Sequence, residues 1–158
     1  MRFFVGLAVL LSTLLPPRLH GQATVQASDS ASSAGVNQWH PSQSFPGVFY
    51  MPLLGDATKP GAYVYRVKAP HGLRIPAHWH TRTMHLTVLS GTLVTVMGEP
   101  LDTNRAKRLP SGGFDVMPAG MRHMEWFEGA TIVQVETEGL IETVFVDPSD
   151  DPRKRAQP

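Results

Sequence analysis

From Gly61 onward, apolar and polar residues alternate with the period of two that puts successive side chains on opposite faces of a strand. In "AYVYRVKA" (62–69), Tyr63, Tyr65 and Val67 fall on one face and Arg66 and Lys68 on the other. "HLTVLSGTLVTVMG" (85–98) reads as two strands joined at Ser90-Gly91, a hairpin signal. "PSGG" (110–113) and "PAG" (118–120) predict turns on either side of a short strand, "FDVM". "ATIVQVET" (130–137) and "LIETVFVD" (140–147) predict two more strands, joined near Gly139. No stretch keeps a helical period over the length that a core helix needs. Short strands with closely spaced turns predict an all-β sandwich or barrel between Pro46 and Asp147.

The two ends depart from this pattern. Arg2 is followed by a 13-residue apolar run, "FFVGLAVLLSTLL". A membrane-spanning helix needs about 20 residues, so this run is too short. Small residues follow, with candidate cleavage points at Ala23 and Ala27. The expectation is a secretory signal peptide over 1–23 and therefore a secreted or periplasmic protein. Residues 24–45 are expected to be a flexible linker and an N-terminal arm, 46–148 the folded domain, and 149–158 a solvated C-terminal tail.

Composition narrows the chemistry. The chain of 158 residues is long enough for one domain, and 42% hydrophobic residues is ordinary for a protein with a core. Fourteen prolines and 14 glycines agree with many turns. With no cysteine, there is no disulfide, thiolate metal site or cysteine nucleophile. Losing residues 1–23 removes Arg2 and Arg18 and no acid, turning a net charge of +1 into −1. That leaves no basic field for nucleic acid, and no second apolar span for a membrane once the signal is removed. G-x-S-x-G, a Gly-rich phosphate loop and H-E-x-x-H are all missing.

The chemistry that remains lies in the histidines. His78 and His80 are two apart, so on a strand both imidazoles project from one face, with Trp79 between them turned away. His123 follows the "PAG" turn. The spacing is Gly72, five residues, His78, one, His80, three, Met84, six, Gly91. A second series runs Gly112, five residues, Pro118, one, Gly120, two, His123. Together they resemble the two motifs of the cupins, over about residues 46–152. The nearest resemblance is to single-domain, secreted bacterial cupins of uncharacterised function.

The resemblance implies a jelly-roll (double-stranded β-helix) barrel with His78, His80 and His123 as imidazole ligands inside it. It also implies a glutamate ligand, but Met84 stands in that position, and Phe127 replaces the frequent terminal asparagine. Met84 is read as barrel packing. A three-histidine set needs no fourth protein ligand and suits Fe, Zn, Ni or Cu better than Mn, which prefers oxygen. A carboxylate from another strand is the alternative. Glu136 is the candidate fourth ligand, and Glu125, with the parity of His123, is the weaker one. His85 reaches the site only if a bulge re-aims it, and His71 reads as a loop histidine.

Without the glutamate, three imidazoles and a divalent ion leave a charge of +2, which favours anionic substrates. The arrangement resembles cupin dioxygenases that cleave small dicarbonyl compounds. The sequence therefore predicts either a metal-dependent dioxygenase for a small dicarbonyl or enolisable substrate, or a non-enzymatic binding module for a polar or sugar-like ligand. An isomerase using a histidine base is a third reading. A homodimer is expected from the family and from sheet edges that need covering.

Overall fold

The computed structural model describes residues 38–155. The expected signal peptide and the linker up to residue 37 lie outside the described residues. Among the described residues, nine strands form one curled sheet, the barrel that the alternation predicted in the jelly-roll form that the cupin resemblance implied. The strands are β1 (His40–Pro41), β2 (Phe49–Leu54), β3 (Ala62–Ala69), β4 (Arg74–His80), β5 (Met84–Met97), β6 (Lys107–Pro110), β7 (Phe114–Met117), β8 (His123–Glu138) and β9 (Thr143–Phe145). Neighbours run β1-β2-β3-β8-β4-β9, and β5 pairs with β6, β7 and β8. Every pairing is antiparallel.

The alternation predicted for "AYVYRVKA" is the one observed. Tyr63 and Tyr65 turn inward and stack, with ring centroids 4.8 Å apart. The hairpin expected at Ser90-Gly91 is not formed. Instead β5 runs on as one 14-residue strand that stays paired with β8, from His85↔Glu136 to Met97↔His123. The register shifts between Val88 and Thr92. Gly91 there has φ +72°, and a Cβ on it would lie 2.4 Å from Thr131 Oγ1 and 2.7 Å from Ala130 O. The glycine thus serves a bulge pressed against β8 rather than a chain reversal.

The bulge exchanges the faces of β5. Before it, Leu86 and Val88 point into the barrel; after it, Leu93 and Thr95 do. β8 keeps one parity throughout, with His123, Glu125, Phe127, Thr131, Val133 and Val135 all turned inward. The apolar members of these two inner faces join Met84, Met117 and Ile75 in the main core cluster. Each fully buried side chain of this size contributes roughly 1.5–3 kcal/mol.

Both described ends pack on the barrel. The arm before β2 adds β1 to the sheet and sets Phe45 against Phe145, with centroids 5.7 Å apart. At the C-terminus, a single helical turn, α1 (Pro152–Arg155), follows Asp151, which is buried. Arg153 donates to Asp151 and, at 2.9 Å, to the Thr143 carbonyl, so this part of the expected solvated tail is tied to β9. No helix among the described residues is long and apolar enough to cross a membrane.

Candidate metal centre

Strand parity brings three histidines to one point inside the barrel. β4 turns His78 and His80 inward together, and β8 opens on His123, which lies directly opposite His78 in the β4–β8 ladder. One ring nitrogen from each lies within 4.8 Å of the others, and all three residues are buried. The His78 and His123 ring centroids are only 4.2 Å apart.

Local backbone fixes which nitrogen faces the centre. His78 Nδ1 lies 2.7 Å from the Pro76 carbonyl, and His123 Nδ1 lies 2.9 Å from the Met121 carbonyl. A carbonyl only accepts, so each Nδ1 carries the proton and donates, leaving Nε2 with a lone pair. The same device, a bond to the carbonyl two residues back, thus orients two of the three rings. His80 Nδ1 pairs with Thr143 Oγ1 at 3.1 Å. His123 Nε2 is buried and has no hydrogen-bond partner.

Electrostatics keep the rings neutral. Burial is the main cause of the lowered pKa at all three, pushing His80 down to about 3 and His78 well below its ordinary value. At His78 and His80 the neighbouring imidazoles lower it further. Neutral imidazoles with convergent lone pairs, and N–H groups held by carbonyls behind two of them, are what a divalent transition ion requires. Buried polar atoms also normally have partners, and an ion would supply the one that His123 Nε2 lacks. These residues therefore fit the metal that the sequence implied.

The centre opens on a cavity of about 610 Å³, a size suited to a small molecule. Its deep walls are mainly apolar, including Leu86, Phe127, Val133 and Val135. Phe45 from the N-terminal arm closes one side, 4.9 Å from the His78 ring. Tyr63 and Tyr65 form another wall, and burial pushes both hydroxyls upward, Tyr63 to about 12. Met84 lines the cavity in the apolar core, and Tyr65 donates to its sulfur at 3.8 Å. That is the packing role expected for it.

The two carboxylate candidates exchange their standing. Glu136, taken from the sequence as a fourth ligand, is exposed, opposite His85 on the outer faces of β8 and β5, where it accepts from Gln134 at 3.1 Å. It lines a separate outer groove with His85 and Arg82 and does not reach the histidines. The cause is parity: 13 residues separate it from His123 along one strand, an odd step. Glu125, an even step away, lines the interior cavity, and burial alone pushes its carboxyl up to about 7. His85 is also turned out, stacked 6.4 Å from the Phe114 ring, and His71 accepts from Gly129 N–H at 2.9 Å.

Comparison with known proteins agrees with the fold. A family model described as a domain of unknown function, DUF4437, matches residues 38–142. No protein of curated function matches the sequence. Among solved structures, the polyketide cyclase RemF from Streptomyces resistomycificus aligns with a TM-score of 0.57 at 17% identity, over 74% of this chain and 83% of that one. The DMSP lyase DddQ from Ruegeria pomeroyi aligns with a TM-score of 0.58 at 21% identity, over 70% of this chain and 61% of that one. An RmlC-like cupin protein from Ralstonia eutropha aligns with a TM-score of 0.55 at 22% identity, over 72% and 69%. At these identities the likeness establishes the cupin fold alone.

Proposed function

The chain belongs to the DUF4437 family, and from that premise we propose that it is a metal-dependent cupin acting on a small dicarbonyl or enolisable molecule, with dioxygenase chemistry. The observation that carries this reading is the set of three buried imidazoles that meet beside a cavity of small-molecule size, which His78 and His80 line. His78, His80 and His123 would hold the ion. A divalent ion in such a set supplies Lewis acidity and open positions for substrate and O₂. All three protein ligands are neutral, so a substrate arriving as an enolate or another oxygen anion provides the compensating charge.

The remaining cavity residues act on that substrate. Leu86, Val133 and Val135 exclude water from it, which strengthens every polar interaction within. Glu125, on the cavity wall, is the carboxyl placed to give or accept a proton there. O₂ uptake with a panel of small 1,3-dicarbonyls tests the proposal. Turnover lost in a folded His123→Ala variant supports it, and uptake unchanged in that variant contradicts it.

A second reading, a binding module without turnover, is favoured by Met84, which puts an apolar side chain into the cavity wall where the motif has a carboxylate. Ligand stabilisation that survives chelation, with no turnover, marks that outcome. We further place the protein outside the cytoplasm, on the strength of residues 1–23, and as a homodimer that covers sheet edges. N-terminal sequencing of the exported protein and sedimentation measure these two.

A further inference from the structure

Two polar side chains on the inner wall have no protein partner. Thr95 on β5 is 1% exposed, and its buried Oγ1 has no hydrogen bond. It lies directly opposite Glu125 in the β5–β8 ladder, both side chains turned inward. One inward step along, the same ladder pairs Met97 with His123. Glu125 lines the cavity shared with His78 and His80, and no hydrogen bond or ion pair among the described residues engages its carboxylate. In native structures, inward polar groups of this kind are satisfied by a ligand, an ion or water. Successive inward residues of a strand are roughly 7 Å apart, so the Glu125 backbone stands about that far from the His123 backbone.

We propose that Glu125 is the carboxylate that serves the histidine centre, delivered from β8 in place of the one missing at Met84. Glu125 falls outside the group of ring nitrogens that lie within 4.8 Å of one another. It therefore acts across one intervening water or substrate atom rather than by a direct bond. In that place it accepts a hydrogen bond from whatever fills the open side of the centre and offsets the charge that three neutral ligands leave. It thereby selects ligands that carry a donor, a hydroxyl or ammonium group, beside the oxygen that meets the ion. Thr95, opposite Glu125 and without a hydrogen bond of its own, offers a second polar contact to the same water or ligand. This inference rests on the metal reading above.

The test is a Co(II) titration of the full-length, metal-stripped protein, read by the visible absorption of the bound ion. Wild type, E125Q and T95V are compared, with circular dichroism as the check on folding. Removing an outer partner of a metal site lowers affinity by about 10–100-fold. E125Q is expected to weaken Co(II) binding within that range and to change the spectrum, and T95V to act in the same direction by a smaller factor. A folded E125Q that binds Co(II) as wild type does, with the wild-type spectrum, overturns the inference and leaves the metal reading standing. If E125Q does not fold, T95V decides in its place by the same criterion. Wild type that takes up no Co(II) overturns both.

Discussion

The two faces of β8 carry similar residues to different ends. On the inner face, His123, Glu125 and Phe127 alternate within one buried wall. On the outer face, Glu128 pairs with Arg108 and Glu136 with Gln134, both accessible to water. Glutamates belong to both faces, and burial pushes the inner one, Glu125, up to about 7. Side-chain chemistry alone does not make a candidate catalytic group here. Strand parity decides which carboxyl enters the cavity wall and which stays on the outer surface.

The largest way to break the comparison is through packing. Phe127→Ala on the inner face empties a fully buried position beside the cavity and should cost about 3–5 kcal/mol, read as a lower urea midpoint. Gly91→Ala comes next. It forces a Cβ against Thr131 and Ala130 at a positive φ, in the bulge that exchanges the inner face of β5. The expected loss is about 2–3 kcal/mol, measured the same way. Wild-type stability in this variant would mean that β5 does not bulge against β8.

A third prediction uses pH. In the metal-free protein the three histidines have folded pKa values below the unfolded value near 6.5. The unfolded state therefore binds more protons below that pH. Their contribution is complete above about pH 6.5 and is lost as pH falls, at up to about 1.4 kcal/mol per pH unit for each ring. Glu125 acts in the opposite sense. Its folded value, about 7, lies above the unfolded one, so its contribution fades as pH rises towards 7. Urea unfolding of metal-stripped protein at about pH 5 and about pH 7.5 should show higher stability at the upper pH, and E125Q should steepen that rise. The smallest expected effect is on the outer face: Glu136→Ala should change stability by no more than about 0.5 kcal/mol.

Much of this arrangement is legible in the chain. The period-two pattern of 62–69 gives β3 and its inward tyrosines, and the two motif spacings place His78, His80 and His123 at one point. Most of what escaped the sequence has one physical cause, the behaviour of long strands at glycine. Gly91 looks like a turn residue between two strands, but its positive φ serves a bulge in one continuous strand. Gly129 likewise appears to separate "HMEWFE" from "ATIVQVET", whereas β8 runs through it without changing parity. Reading β8 as two strands left the face of Glu136 open. Reading it as one would have turned Glu136 outward and favoured Glu125. The seating of Phe45 against His78 had no such signal, because a tertiary contact of an irregular arm leaves no periodicity.

The central claim is that the inner face holds one ion on three histidines without a carboxylate from β5. Elemental analysis of purified, tag-free protein tests it most directly, comparing wild type with the His78→Ala/His80→Ala double variant and with Glu136→Ala. About one metal ion per chain is expected in wild type and in Glu136→Ala, and none in the double variant. Wild type without metal even after reconstitution, or a double variant that keeps its ion, would contradict it.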